Sequence, residues 1–548
     1  MSVSHGSNPV KVLLVYPPSP DTFWSFKHVL RCVSKRATFP PLGLLTIAAM
    51  LPADWQLKLV DLNVEHLKDS DLRWADYVML SAMIIHKQSV REIIRRCAAS
   101  GKPLIAGGPL FTTGHEAFPA IQHFVLGEAE DVMPQLVADM RAGTLQPQYC
   151  ASDRPDISRV PPPRWDLINL KHYVTMAVQF SRGCPYDCEF CDIIVMNGRV
   201  PRTKTPAQLI AELEGLRLRG WKDMVFVVDD NFIGDKNRTK TLLREMIAWR
   251  ERVQPDMGFF TEASVNLADD AELCGLMVQA GFKKVFVGLE TPSAESLQEC
   301  HKVQNKGRDL VESVKTLQRA GLEVMGGFIV GFDSDRQDIF KQQFDFIQRS
   351  GVVTAMVGLL NALPQTKLYL RLKKEGRLEA DCTGNNTEAV MNFKPKLNRE
   401  FLQSGYRDLM KKLYEPKVYY QRIRTFLKQY RPSGPRLRLS PGDFQAFLKS
   451  FWLLGSGTGA AIITGDSSGA HCCAGPASFV VPSNWQSSAT ISAASPAASD
   501  SALCWPRRWV NRRSKPFGMV KAGALKQFSF TGAAGSDQRR RYYRLRSL

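Results

Sequence analysis

The stretch Ser181-Arg182-Gly183-Cys184-Pro185-Tyr186-Asp187-Cys188-Glu189-Phe190-Cys191 decides how the rest of the chain is read. Its spacing, Cys-x3-Cys-x2-Cys, puts three thiolates on one tight loop and offers no fourth. Zinc takes four ligands, usually as two separated pairs, and no second pair lies nearby. A disulfide would leave one sulfur over, in a chain whose polar start, Met1 to Val10, does not read as a secretion signal. A four-iron cluster is normally closed by four cysteines, so three leave one iron open to a small molecule. The spacing therefore points to a [4Fe-4S] cluster held by Cys184, Cys188 and Cys191.

Outward from this loop, strand-like and helix-like segments alternate on both sides. On the C-terminal side, Val174–Phe180 runs into the loop, Met224–Val228 ends in Asp229 and Asp230, and Gly258–Ala263 ends in Ser264 with Glu262 just before it. Lys284–Leu289 then ends in Glu290, Val324–Val330 in Gly331, and Thr354–Leu360 in Asn361. Six β/α units over 173–375 predict an open, partial (β/α)6 TIM-type barrel, whose chemistry belongs at the C-terminal strand ends where these polar residues fall. On the N-terminal side, five strands are predicted at Lys11–Tyr16, Gln56–Asp61, Tyr77–Ser81, Pro103–Gly107 and His123–Leu126. Amphipathic stretches such as Pro41–Leu51 and Ser89–Ala99 lie between them. This is an α/β, doubly wound parallel sheet of the Rossmann-like (flavodoxin-like) kind, and its ligands sit beyond the strand C-termini. Ser81, Gly107-Gly108-Pro109 and Gly127-Glu128-Ala129-Glu130 are placed there, whereas His86 and His115 read as polar loop residues. Residues 146–172, rich in proline and arginine, read as a linker.

Residues 376–454 read as a helical extension with aromatic stripes: Phe401, Tyr406, Leu409 and Leu413, then Tyr419, Tyr420, Ile423 and Phe426. Such stripes are usually core, and here they are expected to pack a small lid against the open barrel. From Gly455 the texture changes: Ser, Ala, Gly and Arg dominate, glutamate disappears, and no period of 2 or 3.6 survives. Residues 455–548 are either a disordered basic tail or out-of-frame translation, and the second is favoured. One codon spelling of Gly455-Ser456-Gly457-Thr458-Gly459 gives Ile-Arg-Asp-Arg when read two bases later, which would continue the preceding helix.

The length of 548 residues predicts two to four domains, and 44 % hydrophobic content suffices for ordinary cores of a soluble protein. No stretch is long and apolar enough for a membrane span, so a cytoplasmic location is expected, where thiols such as Cys32, Cys97, Cys274 and Cys300 stay reduced. The net charge of +19 suggests a polyanion, but twelve Lys/Arg against three Asp lie beyond Leu454, a surplus of nine. The remaining +10 calls for no specific nucleic-acid partner.

The cysteine loop, with Phe190 before its last cysteine, closely resembles the signature of the radical S-adenosylmethionine (SAM) superfamily. The resemblance implies that SAM chelates the open iron through its amino and carboxylate groups and is cleaved to a 5′-deoxyadenosyl radical, with an electron from a flavodoxin or ferredoxin. It also implies that Asp229 and Asp230 face the SAM amino group, although the pair reads equally well as a helix N-cap. Glu262, Ser264 and Glu290 would contact its ribose or methionine part. Gly327-Phe328-Ile329-Val330-Gly331 would contact adenine through Gly327, Ile329 and Gly331. Arg202 and Lys204 read better as solvated residues than as ligands, and Lys302 and Asn305 belong to a Lys-x-Gln-Asn stretch of no evident role.

The strand-end motifs of residues 9–145, together with Phe39-Pro40-Pro41-Leu42-Gly43-Leu44, resemble the cobalamin-binding domain of one large radical SAM class. No Asp-x-His-x-x-Gly occurs, so the corrin would lie base-off against Ser81, Gly107, Gly108 and Gly127. The alternative is a domain kept for structure alone. Tyr414-Glu415-Pro416-Lys417-Val418-Tyr419-Tyr420 resembles the C-terminal extension of a subfamily that includes C-methylases. The resemblance thus implies a cobalamin-dependent methyltransferase acting on an unactivated carbon of a small molecule or lipid. One rival is a radical SAM enzyme without cobalamin that catalyses rearrangement, cyclisation or transfer of another SAM fragment. Another is a non-catalytic iron–sulfur sensor.

Overall fold

Successive residues of a strand point to opposite faces, and in β1 (Lys11–Tyr16) this alternation separates two cores: Val12 and Leu14 pack on one side, Leu13 and Val15 on the other. A strand buried on both faces needs helices on both. Leu44, Leu45 and Ala48 of the helix Leu42–Met50 and Leu136 and Met140 of Met133–Ala142 cover the first face. Val90, Ile93 and Cys97 of Val90–Ala99 cover the second. With β2 (Gln56–Asp61), β3 (Tyr77–Ser81), β4 (Leu104–Gly107), β5 (His123–Leu126) and β6 (Gln148–Cys150), β1 forms a six-stranded sheet of order β2-β1-β3-β4-β5-β6. Every pairing is parallel. The sixth strand lies within the stretch read as a linker; at three residues, only Tyr149 of them buried, it is too short to show a period. This computed structural model describes residues 9–435, apart from 23, 24, 26–29, 31, 32 and 386. Cys32, residues 436–454 of the helical extension and the whole 455–548 segment therefore lie outside the described residues.

The second sheet is built from β7 (Met176–Val178), β10 (Met224–Val227), β11 (Gly258–Ala263), β12 (Phe282–Glu290), β13 (Glu323–Val330) and β14 (Ala355–Leu359), in the order β14-β13-β12-β11-β10-β7 and all parallel. Between β7 and β10, the short antiparallel pair β8 (Ser181–Arg182) and β9 (Arg202–Thr203) brackets the cysteine loop. Val225, Val227, Phe259, Val285, Val287 and Val324 pack outward against helix residues such as Leu213, Met246, Met277 and Leu317. The alternate residues, among them Phe226, Phe260, Glu262 and Phe286, face the concave side. The six units form the open barrel expected from the sequence.

Two of the features that tie the first sheet to the barrel bear on the site. Residues 36–38 run beside the start of β7, with Val174 N donating to Ala37 O and Thr175 N to Thr38 O, and the Tyr173 hydroxyl reaches the buried Asp61 carboxylate at 3.0 Å. The second is an ion-pair cluster at the cysteine loop, described below.

The helices Arg399–Leu413 and Pro416–Gln429 pack against the open barrel, as expected. Tyr406 donates to Val357 O and Tyr414 to Ala355 O, both on the edge strand β14, while Phe401 stacks edge-on against Phe340 of the neighbouring helix. The stripes are core, and their helices flank the open edge of the barrel. Arg422, fully buried between the Tyr414 and Tyr419 rings, donates to Gln348 Oε1 and Leu413 O and locks the hairpin.

Candidate active site

The cysteine loop is held from three directions. Gly183 sits at φ +96°, where a Cβ would lie 2.9 Å from Val200 O, so the turn before Cys184 requires glycine. Its N–H donates to Asp230 Oδ2 at 2.8 Å, Cys184 N donates to Gly198 O, and Cys191 N donates to Cys188 O. From the side, the helix Lys367–Lys374 straps the loop: Leu368 N donates to Glu189 O, Lys367 pairs with Asp187, and Arg371 pairs with Glu189 at 2.6 Å and Asp333 at 3.0 Å. From above, Glu128, at the end of β5, pairs with Arg202 at 2.6 Å and Arg182 at 2.7 Å, and Glu130 also pairs with Arg182 at 2.7 Å. Arg202 is therefore no solvated residue, and Lys204 is buried in an ion pair with Glu212. Among the described residues, no three or more His, Cys, Asp and Glu side chains converge on one metal ion.

The two adjacent aspartates have separate tasks. Asp229, 1 % exposed, accepts from Phe180 N, Ser181 N and Ser181 Oγ, which fixes the exit of β7. With both oxygens engaged inside the chain it neither faces a ligand nor caps a helix; the following helix is capped by Asp235. Burial pushes its carboxyl up to about 7. Asp230 lies against the loop, accepting from Gly183 N and from the Asn197 side chain at 2.8 Å each. Ser264 is linked to Asn231: Ser264 N donates to Asn231 Oδ1, while Asn231 Nδ2 lies 3.2 Å from Ser264 Oγ and 3.8 Å from Cys184 Sγ.

Glu290 does not stand free either. It occupies a left-handed conformation, φ +59°, and pairs with Lys302 at 2.6 Å. Burial opposes the Lys302 charge, but Glu290 and the Cys188 sulfur outweigh it and hold the ammonium above its usual range. The Lys-x-Gln-Asn stretch thereby acquires a role: Lys302 reaches Glu290, Gln304 Nε2 reaches Cys188 Sγ at 3.7 Å, and Asn305 Nδ2 donates to Gly288 O and Leu289 O. Gly327 and Gly331 are less open than expected. A Cβ on Gly327 would meet the Phe286 ring at 2.9 Å, and Gly331 N already donates to Asp335. Ile329 remains half-buried on the concave face.

Glu262 is the polar residue most available to a ligand. It points from β11 into the concave side, and burial, with Asp230 adding, pushes its carboxyl up to about 7 against the pull of Lys302. A raised carboxyl holds its proton in the folded state, so the associated stability is complete below about pH 4.5 and is lost as the pH rises through about 7. The cofactor-free Glu262→Gln variant is expected to be more stable than wild type at pH 8, by on the order of 1–3 kcal/mol, with no gain below pH 4.5. Denaturant unfolding across pH checks this; a difference that does not change with pH would contradict the placement.

At the C-terminal ends of the central strands β3 and β4, Ser81 and Gly107 pair in register, and Gly108 sits at φ +90° with space for a Cβ filled by Ser81 Oγ at 2.8 Å. Gly127, at φ +77°, has nothing within 4 Å of a Cβ and donates its N–H to Thr112 Oγ1. Gly107, Gly108 and Gly127 thus carry no side chain at these strand ends, and Ser81 adds only its hydroxymethyl group. His86 is not the loop residue expected: it is 1 % exposed, Nδ1 accepts from Met83 N, Nε2 lies 3.0 Å from Ser19 Oγ, and burial lowers its pKa to about 4. Both nitrogens are taken, so it offers no ligand to a metal at those strand ends.

Comparison with known proteins settles the class. Residues 178–347 match the radical SAM superfamily, 30–137 the B12 binding domain, and 366–458 a domain of unknown function (DUF4070). An uncharacterized methyltransferase of Synechocystis is 43 % identical over 423 residues, 76 % of this chain and 79 % of that one. The hopanoid C-2 methylase of Rhodopseudomonas palustris is 34 % identical, covering 80 % of this chain and 84 % of the other. The chain belongs to the cobalamin-binding radical SAM methyltransferases. The cofactors of such an enzyme are a [4Fe-4S] cluster and SAM, implied by its radical SAM domain, and cobalamin, implied by its B12-binding domain. In fold, the enzyme is similar to the radical SAM methyltransferase TsrM of Kitasatospora setae, with a TM-score of 0.57 at 15 % identity over 81 % of this chain and 95 % of that one.

The structure joins the cysteine loop, Asp230, Asn231, Ser264, Glu262, Glu290 and Lys302 into one site and sets Asp229 beneath it. Ser81, Gly107, Gly108 and Gly127 lie apart, on the first sheet, and connect to it through Glu128. Sequence reasoning missed Glu128, Glu130, Arg182, Asn231, Gln304 and Arg371. Arg182 stands inside the quoted motif, and the two glutamates inside a recognised strand-end motif, but their pairing is visible only once the two sheets are set together.

Proposed function

We propose that the enzyme transfers a methyl group from SAM to an unactivated carbon of an apolar small molecule or lipid, residues 9–145 receiving cobalamin and residues 173–375 the cluster and SAM. The observation that carries this reading is the short path Gly127-Glu128 to Arg182-Gly183-Cys184, in which one buried carboxylate links the glycine-bearing strand ends to the cysteine loop. When bound, the cluster with SAM supplies a 5′-deoxyadenosyl radical and cobalamin supplies the methyl group.

The chain's own residues supply placement and dryness. Cys184, Cys188 and Cys191 hold the cluster, while Asp230, Glu262 and Ser264 offer acceptors toward the polar end of SAM. Phe226 and Phe260 stack at 4.5 Å with an interplanar angle of 2°, and Phe39 reaches Phe226 at 5.5 Å, giving an apolar wall inside the barrel. Such a wall seats an apolar substrate and excludes water from a reactive radical. The similarity to a hopanoid methylase supports a lipid. A flavodoxin or ferredoxin would supply the electron. Among the described residues no helix is long and apolar enough to cross a membrane.

The test is reaction of the reconstituted enzyme with SAM carrying a trideuterated methyl group, reductant and a bacterial lipid extract. Trideuteromethylated lipid, with S-adenosylhomocysteine and 5′-deoxyadenosine formed in equal amounts, is expected. 5′-Deoxyadenosine without S-adenosylhomocysteine would overturn methyl transfer in favour of another radical reaction.

A further inference from the structure

Two side-chain amides point at two of the three cluster cysteines, and both are fixed before any cofactor binds. Gln304 is 8 % exposed, and its Nε2 lies 3.7 Å from Cys188 Sγ while its Oε1 is buried without a hydrogen-bond partner. Asn231 is 3 % exposed, and its Nδ2 lies 3.8 Å from Cys184 Sγ. The orientation of the second amide is set independently, because Ser264 N donates to Asn231 Oδ1 and so turns the NH2 group toward the sulfur. The first is fixed by its neighbours: Asn305 anchors the same short 3-10 turn, Val303–Asn305, to two carbonyls of β12, and Lys302 anchors its start to Glu290.

We propose that Gln304 and Asn231 donate N–H···S hydrogen bonds to the cluster thiolates of Cys188 and Cys184 and thereby raise the reduction potential of the cluster. The inference rests on the assignment of the three cysteines as cluster ligands. A hydrogen bond to a ligating sulfur withdraws charge from it and favours the reduced, more negative cluster, which is one of the ways a protein sets such potentials. Beside a thiolate the NH2 end of the Gln304 amide is the end that faces the sulfur, because the amide oxygen would be repelled by it, and a thiolate is a stronger acceptor than a thiol. Gln304 and Asn231 are therefore positioning residues, acting on the chemistry through the sulfurs.

The experiment is an EPR-monitored redox titration of the full chain after anaerobic reconstitution, comparing wild type with Gln304→Leu, which removes the donor at similar volume, and Gln304→Glu, which replaces it by an acceptor. The midpoint potential is expected to fall in Gln304→Leu and further in Gln304→Glu, with iron and sulfide content unchanged. A full cluster with an unchanged potential in Gln304→Leu would overturn the inference and leave the cluster assignment intact; a wild-type chain that takes up no cluster would overturn both. Should Gln304→Leu fail to assemble a cluster, wild-type protein grown with 15N-labelled glutamine decides: a 15N hyperfine coupling in the reduced cluster supports the bond, and its absence overturns it.

Discussion

Replacing Cys184, Cys188 or Cys191 singly by Ala is expected to abolish the visible absorbance of the cluster and to bring SAM cleavage below detection. Each thiolate serves a different iron, and the loop offers no spare ligand. The neighbouring sulfurs cannot substitute. Cys300 is buried with its thiol toward Leu297 O, and Cys274 sits on a helix outside the barrel with its thiol toward Leu267 O. Burial raises the Cys191 and Cys184 thiols in the cofactor-free chain, so cluster uptake must release their protons, and assembly is expected to slow as the pH is lowered. Cys274→Ala is the control and retains both absorbance and cleavage. Iron and sulfide analysis with chromatographic assay of 5′-deoxyadenosine measures both results, and a normal cluster in all three Ala variants would refute the assignment.

Replacing Glu128 by Ala leaves Arg202 without its carboxylate partner and Arg182 with Glu130 alone, all in a region where these side chains are 9–18 % exposed. Removing one member of a buried ion pair typically destabilises by about 3–5 kcal/mol, because the remaining charge stays buried. The variant is expected to show this loss in denaturant unfolding. It should also bind corrin less tightly, since Gly127 precedes Glu128 directly. Glu128→Gln, whose single amide oxygen can take the place of Oε2 and accept from both arginines, should recover part of the stability. A neutral Ala substitution would mean that the contact between the first sheet and the cysteine loop is carried elsewhere.

Much of this architecture was legible because its signals are local. The β1 run Val12-Leu13-Leu14-Val15 is uniformly apolar because both faces are covered, and a strand of that kind bounded by polar residues stands out from the sequence. All eleven strands read from the sequence appear, five in the first sheet and six in the barrel, shifted by one or two residues at some ends. Strands too short to carry a period, Gln148–Cys150 and the Ser181–Arg182 with Arg202–Thr203 pair, were not. The site was legible as residue types at strand ends, not as pairings. Asp229 and Asp230 are identical in sequence context, yet one faces the backbone of Phe180 and Ser181 and the other the loop at Gly183, a difference set by strand alternation at the barrel rim. Glu290 looked like a ligand contact because nothing local announces that Lys302, twelve residues on, returns to it. The aromatic stripes of Arg399–Leu413 and Pro416–Gln429 announced burial against the barrel but not on which strand, β14, since amphipathicity names a face and not its partner.

The most direct test of the central claim, that one chain brings a corrin beside a cluster with an open iron, is the corrin and iron content of the full chain after anaerobic reconstitution with hydroxocobalamin. About one corrin for each [4Fe-4S] cluster is expected, with a base-off spectrum because His86 has both ring nitrogens engaged. A complete cluster with no bound corrin at any hydroxocobalamin concentration would contradict it.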